Sequence, residues 1–104
     1  MPLRSVLSDD GSQLVIGVED VLDSSLMDEF RKAYIDFIYK DMTYVIDFGQ
    51  IEYIDISGLG MLLTMRALLG DQVSISIVNC CPEVTKLLTY FRFDLKFDLH
   101  SAPA

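Results

Sequence analysis

The residues best placed to do chemistry lie together in Ile54-Asp55-Ile56-Ser57-Gly58-Leu59-Gly60. The segment enters apolar, bends through a short polar turn bearing glycine, and continues as the helix-favouring Met61-Leu62-Leu63. Asp55 and Ser57 are both residue types whose side-chain oxygens accept from the free N–H groups that open a helix. Gly58 and Gly60 leave the first turn bare, so a backbone, an anion or a partner surface can come close. A carboxylate, a hydroxyl and an open helix N-terminus are thereby gathered within a few residues. This turn is the expected working surface.

Catalysis at the turn would need more than it offers. Ser57 has no histidine to activate it, because the chain's one histidine, His100, lies near the C-terminus. The surroundings form neither a Gly-x-Ser-x-Gly elbow nor a phosphate loop with its lysine. Gly58-Leu59-Gly60 is a lone Gly-x-Gly, a weak sign of nucleotide binding. Asp47 and Asp55 could be imagined as an acid–base pair, but each reads more simply as a strand-end or helix-cap carboxylate. Cys80 and Cys81 are adjacent, poorly placed to bond each other, and too few for a zinc site without more histidine. They read as small residues closing a strand and opening a helix. No catalytic residue, metal or cofactor is expected.

The elements that would position this turn follow from periodicity. Leu3 to Leu7 and Gln13 to Val18 are short strands about the turn Ser8-Asp9-Asp10-Gly11-Ser12, an expected antiparallel hairpin. Glu19 to Ser25 carries turn and capping residues, and Ser25 with Asp28 has capping-box spacing. Leu26, Phe30, Ala33, Tyr34, Phe37 and Ile38 then recur at helical steps. Tyr44 to Phe48 is the expected central strand, and a loop from Gly49 to Asp55 leads into a helix over Ser57 to Leu69. Val73 to Val78 is a further strand, and Pro82 starts a third helix striped by Val84, Leu87, Leu88 and Phe91. Phe93 to Leu99 is read as a last strand and 101–104 as a loose tail.

The predicted order is ββαβαβαβ, an α/β fold with a mixed sheet of four to five strands in one domain over residues 1–104. Functional loops in such sheets collect at the carboxyl ends of the strands. Asp55 to Gly60 sits on one of these loops, and Glu19 to Ser25 is expected to open at the same end. In the helix after Gly60, Leu59, Leu62, Leu63 and Ala67 form one stripe, with Arg66 among them, while Met61, Met65 and Leu68 form another. A helix apolar on nearly all sides buries more than one face or keeps one for a partner. The second stripe is therefore read as a Met-rich docking patch beside the turn, against the plainer reading that neighbouring elements cover it.

The chain's 104 residues suit one core. A net charge of −8 repels phosphate backbones and anionic lipid, so neither nucleic acid nor a membrane surface is an expected partner. No apolar run is long enough for a membrane span and no signal peptide is evident, so the expected location is cytoplasmic. The N-terminal hairpin edge could host a homodimer, though no residue pattern demands one.

Ile54 to Leu63, Val78-Asn79-Cys80 before Pro82-Glu83-Val84, and Phe93-Asp94 together resemble the STAS domain of bacterial anti-sigma-factor antagonists. The resemblance implies a non-catalytic regulatory module in a partner-switching pathway of transcription control. Such a module binds a kinase-type anti-sigma factor, is phosphorylated at the turn by that kinase, and is reset by a PP2C-like phosphatase. It implies a partner face of Asp23, Ser24, Asp55, Ile56, Ser57 and Gly58, to which the docking patch adds Met61 and Met65. The family's phosphoacceptor directly follows the Asp, and here that position is Ile56, which has no hydroxyl. Either Ser57 serves as the acceptor, or this turn is not switched. Two other roles remain open: a structural STAS subunit against the ATPase of a lipid-transport ABC complex, and a small-ligand sensor for which only the glycines argue.

Overall fold

The structure is a computed structural model that describes residues 2–103. Five strands form one sheet in the order β1-β2-β3-β4-β5, namely Leu3–Leu7, Gln13–Leu22, Thr43–Ile54, Ile75–Cys80 and Asp98–Ser101. β1 pairs antiparallel to β2 as the hairpin turn predicts, and the other neighbours are parallel. Asp10 holds that turn, accepting from the Ser8 hydroxyl at 2.8 Å and from the Ser12 N–H at 3.0 Å. The helices α1, α2 and α3 span Met27–Tyr34, Ile56–Leu69 and Pro82–Tyr90. Each links one parallel strand to the next in the same direction, so right-handed crossovers set all three on one face. Burial follows: Leu14, Ile16, Tyr44, Ile46, Phe48, Ile75 and Ile77 are sealed, while the alternate residues Val15, Val45, Ser76 and Val78 are half-buried.

Three expectations about element boundaries are corrected. The segments 19–22 and 49–54 are not loops but strand, pairing Glu19 with Gln50, Asp20 with Ile51, Val21 with Tyr53 and Leu22 with Ile54. Two register shifts absorb the turn-forming residues, and Asp20 takes a left-handed φ of 64° within β2. The capping box from Ser25 to Asp28 gives way to a cap by Asp23, whose carboxylate accepts from the Ser25 N–H at 2.9 Å and from its hydroxyl. The helix it opens is α1 flanked by single 3-10 turns at Ser24–Leu26 and Ile35–Phe37. At the C-terminus, Phe93–Leu95 is a 3-10 turn and the strand comes later, reaching Ser101, with the Ala102 N–H donating to the Cys80 carbonyl at 2.9 Å. The tail expected at 101–104 is thus paired as far as Ala102; Ala104 lies outside the described residues.

α2 packs its full length against the core. Its sheet-facing arc includes Arg66, which is 7% exposed. The guanidinium donates to the carbonyls of Gly70 at 2.9 Å, Val73 at 2.7 Å and Lys96, and lies over the Phe97 ring at 5.2 Å. Burial holds its pKa below the ordinary arginine value, against the opposing pull of Asp71 and Asp98. Satisfying three carbonyls lets a cation sit where the apolar stripe predicts a hydrocarbon.

Candidate functional site

The parallel pairing of Leu22 with Ile54 decides the site. Each of these residues ends its strand, so the next residues, Asp23 and Asp55, emerge side by side at the carboxyl edge of the sheet. Both are extended and both cap the helical turn that follows. Asp55 accepts from the Gly58 N–H at 2.9 Å, its carbonyl accepts from the Leu59 N–H at 3.0 Å, and its own N–H donates to the Leu22 carbonyl at 3.3 Å. The Ser25 hydroxyl, then the Ser25 N–H, hold the Asp23 carboxyl below the ordinary aspartate value. Two carboxylates therefore already occupy the positive ends of the helical turns, which disfavours a further anion there.

Gly58 is what lets this edge close. A Cβ there would stand 2.3 Å from the Leu22 carbonyl oxygen and 2.7 Å from Ile54 Cγ1. Gly60, two residues on, would carry its Cβ into open space. Between them the two glycines answer different demands, one of contact and one of clearance.

Ile56 projects from the first turn of α2 and is 74% exposed. Ser57 is partly buried and turns toward α1, where it lines a groove. Successive helical residues point about 100° apart, so the two positions present different surfaces. Ser24, next to Asp23, is exposed, and Gly58 is buried. The edge thus brings together Asp23, Ser24, Asp55 and Ile56, an apolar side chain beside two carboxylates and a hydroxyl, with Ser57 turned away into the groove.

The Met-rich patch is not on this surface. Met65 is fully buried and Met61 is 5% exposed, while of that stripe Leu68 alone is open, at 43%. The other stripe is split too: Leu59 and Leu62 are buried, Leu63 and Ala67 exposed. The buried arc of α2 straddles both stripes because α1 and the sheet press on it from two sides. An all-round apolar helix gives no periodic signal of where that arc falls.

The other candidate groups are committed elsewhere. Asp47 accepts from the Gly49 N–H at 2.8 Å and from Asn79 Nδ2 at 3.1 Å, with Arg4 at 3.8 Å. It belongs to the sheet face without helices and makes no pair with Asp55. Cys80 closes β4 in the core, where burial and then Cys81 push its thiol up to about 11, and Cys81 precedes Pro82 at the start of α3. Among the described residues no three His, Cys, Asp or Glu side chains converge as metal ligands. No helix among them is long and apolar enough to cross a membrane.

What the sequence reading did not single out is the groove itself, about 600 Å³ between α1 and α2. Its α2 wall is Ser57, Gly60, Met61, Thr64 and Leu68, and its α1 wall includes Phe30, Arg31 and Tyr34. Ser, Gly and Thr at helix positions turned toward a neighbouring helix are a signal of this kind of gap.

The α/β architecture, a five-stranded sheet with its helices, is shared with solved anti-sigma-factor antagonists. The unphosphorylated form of SpoIIAA superposes with a TM-score of 0.74 at 18% identity, over 97% of this chain and 89% of that one. An antagonist from Mycobacterium paratuberculosis gives 0.76 at 19% identity, over 94% and 85%. At the level of sequence, residues 5–99 match the family model described as "Mlab, STAS domain". A STAS-domain containing protein of Pseudomonas aeruginosa (strain UCBPP-PA14) is 35% identical over 100 residues, covering 95% of this chain and 99% of that protein. The chain belongs to the STAS domain family.

Proposed function

We propose that this protein is a non-catalytic binding module, an anti-sigma-factor antagonist whose partner face is the edge of Asp23, Ser24, Asp55 and Ile56. Its partner is a kinase-type anti-sigma factor, with a PP2C-like phosphatase as the second protein of the pathway. The observation that carries the reading is Ile56, a large apolar side chain left 74% exposed at the centre of an otherwise polar edge. Burying it against a partner would gain on the order of 2 kcal/mol. Solved neighbours of this fold include SpoIIAA in a phosphorylated form and a serine-to-glutamate variant of RsbS from Moorella thermoacetica, and the first of these supports control by phosphorylation among proteins of this fold.

The same residue removes the switch. A phosphate adds about −1.5 to −2 charges, which would stand beside two capping carboxylates and break an apolar contact. With isoleucine at position 56 that charge cannot be placed there, and Ser57 faces the groove instead. The bound state is then constitutive. A second reading keeps the face and changes the partner: a structural subunit seated on the ATPase of a lipid-transport ABC complex. What favours it is that an apolar, unmodifiable residue at position 56 suits a permanent contact.

Affinity capture from the native lysate with wild type and with Ile56→Asp as baits tests both readings. Recovery of a kinase-type anti-sigma factor by wild type, reduced at least tenfold with Ile56→Asp, is the expected result. An ABC ATPase recovered in its place transfers the protein to the second reading. Equal recovery by both baits overturns the assigned face. With the kinase in hand, Ile56→Ser should gain phosphate at position 56; phosphate on Ser57 of wild type would show that this turn is switched after all.

A further inference from the structure

The groove between α1 and α2 has the size of a ligand site, within the roughly 300–1,000 Å³ that such sites occupy. Its floor is firm: Phe30 and Tyr34 pack edge to face with centroids 5.8 Å apart, and Met61 closes the base. Its width comes from α2, where Gly60 contributes no side chain and an added Cβ would touch nothing within 4 Å.

Two polar groups on residues at one end lack partners among the described residues. Tyr34 is 1% exposed, yet its hydroxyl has no hydrogen-bond partner among the described residues, whereas the Tyr44 hydroxyl donates to the Phe37 carbonyl. The sealed, unpaired side-chain polar atom among those residues is Arg66 Nε; the Tyr34 hydroxyl is not fully sealed, and Tyr34 is one of the residues that line the groove. Arg31 lines the groove a turn away, and neither ion pair among the described residues involves it. Burial raises the Tyr34 pKa above the ordinary tyrosine value, and the Arg31 charge partly opposes this, which puts the guanidinium within electrostatic reach of the phenol. A nearly buried hydroxyl and an exposed cation with no ion pair among the described residues, both on residues that line a mostly apolar trough, suit one ligand shape: an anionic acceptor on a hydrocarbon chain.

We infer that the α1–α2 groove binds a free medium-chain aliphatic carboxylate, its head on Arg31 and Tyr34 and its chain over Met61 past Gly60. Both helices follow parallel strands and run the same way, so the Tyr34 end faces Thr64 and the chain extends toward Met27 and Ser57. From Thr64 to Ser57 is seven residues of helix, about 10 Å at 1.5 Å each. That length favours a chain like that of decanoate. The binding does not depend on the partner reading above.

The test is calorimetric titration of the purified chain with decanoate, decanol and acetate, paired with amide NMR shifts. Decanoate is expected to bind at one site, shifting Ser57, Gly60 and Thr64, with acetate silent and decanol at least tenfold weaker. Arg31→Gln should weaken decanoate about tenfold and leave decanol unchanged, the loss of one charge-assisted contact. Gly60→Leu should abolish both by filling the trough, and Tyr34→Phe, which keeps the packing, should weaken decanoate alone. No saturable decanoate binding by wild type overturns the inference. So does binding untouched by Gly60→Leu, which would place the ligand elsewhere, or by Arg31→Gln and Tyr34→Phe together, which would remove the head-group argument. Protection of Ser57, Gly60 and Thr64 by the protein partner and not by decanoate would assign the groove to that partner and overturn it too.

Discussion

Replacing Gly58 and Gly60 by alanine, one at a time, should move stability in opposite directions. Both glycines lie in the first turns of α2, so helix propensity alone predicts that each change stabilises by up to about 1 kcal/mol. At Gly60 nothing opposes that gain, since the new methyl enters open space. At Gly58 the methyl would stand 2.3 Å from the Leu22 carbonyl oxygen, a backbone atom that cannot rotate away. Ordinary contact begins near 3.4 Å, so α2 and the end of β2 must separate by about 1 Å. Overpacking of this kind costs about 1–3 kcal/mol. The same shift strains the Asp55 N–H bond to the Leu22 carbonyl, already 3.3 Å, which is worth about 1 kcal/mol. Less the propensity gain, Gly58→Ala should destabilise by about 1–3 kcal/mol and Gly60→Ala should stabilise by up to about 1. For a domain of this size each kcal/mol is about 4–8 °C in Tm. Urea and thermal melts of the two variants read both numbers. A Gly58→Ala protein as stable as wild type would mean that the helix end does not press on β2, and the geometry of the proposed partner edge would fall with it.

Arg66→Met should cost about 2–4 kcal/mol in a urea melt, because the hydrocarbon fits the space but leaves the carbonyls of Gly70, Val73 and Lys96 without their donor. A loss below about 1 kcal/mol would mean that water replaces the guanidinium freely. The two cysteines should react with a thiol reagent at very different rates. Cys80, buried with its thiol raised to about 11, stays protonated near neutral pH and should label only on unfolding, while half-buried Cys81 labels in the folded protein. Mass spectrometry after a short pulse distinguishes them, and equal labelling would contradict the packing of β4.

Much of this protein is written locally. Asp55 caps α2 because a carboxylate two or three residues before free N–H groups needs no distant help, and Asp10-Gly11 closes the hairpin for the same reason. Alternation and helical spacing placed the strands and helices in order because those periods are properties of the chain itself. What depends on residues far apart in sequence came from the tertiary structure alone. The segments 19–22 and 49–54 look like loops until they meet, since their turn-formers are tolerated only as bulges within a parallel pair. That pairing sets Asp23 beside Asp55. Met61 and Met65 left the surface because α1 and the sheet cover an arc that a uniformly apolar helix does not announce. The groove exists where two helices fail to fill the space between them, and Tyr34 lines it with no hydrogen-bond partner for its hydroxyl among the described residues. Local hydrogen bonds and periodicity were fixed by the sequence order itself, whereas close approach, exposure and vacancy are relations between elements, decided when the sheet aligned them.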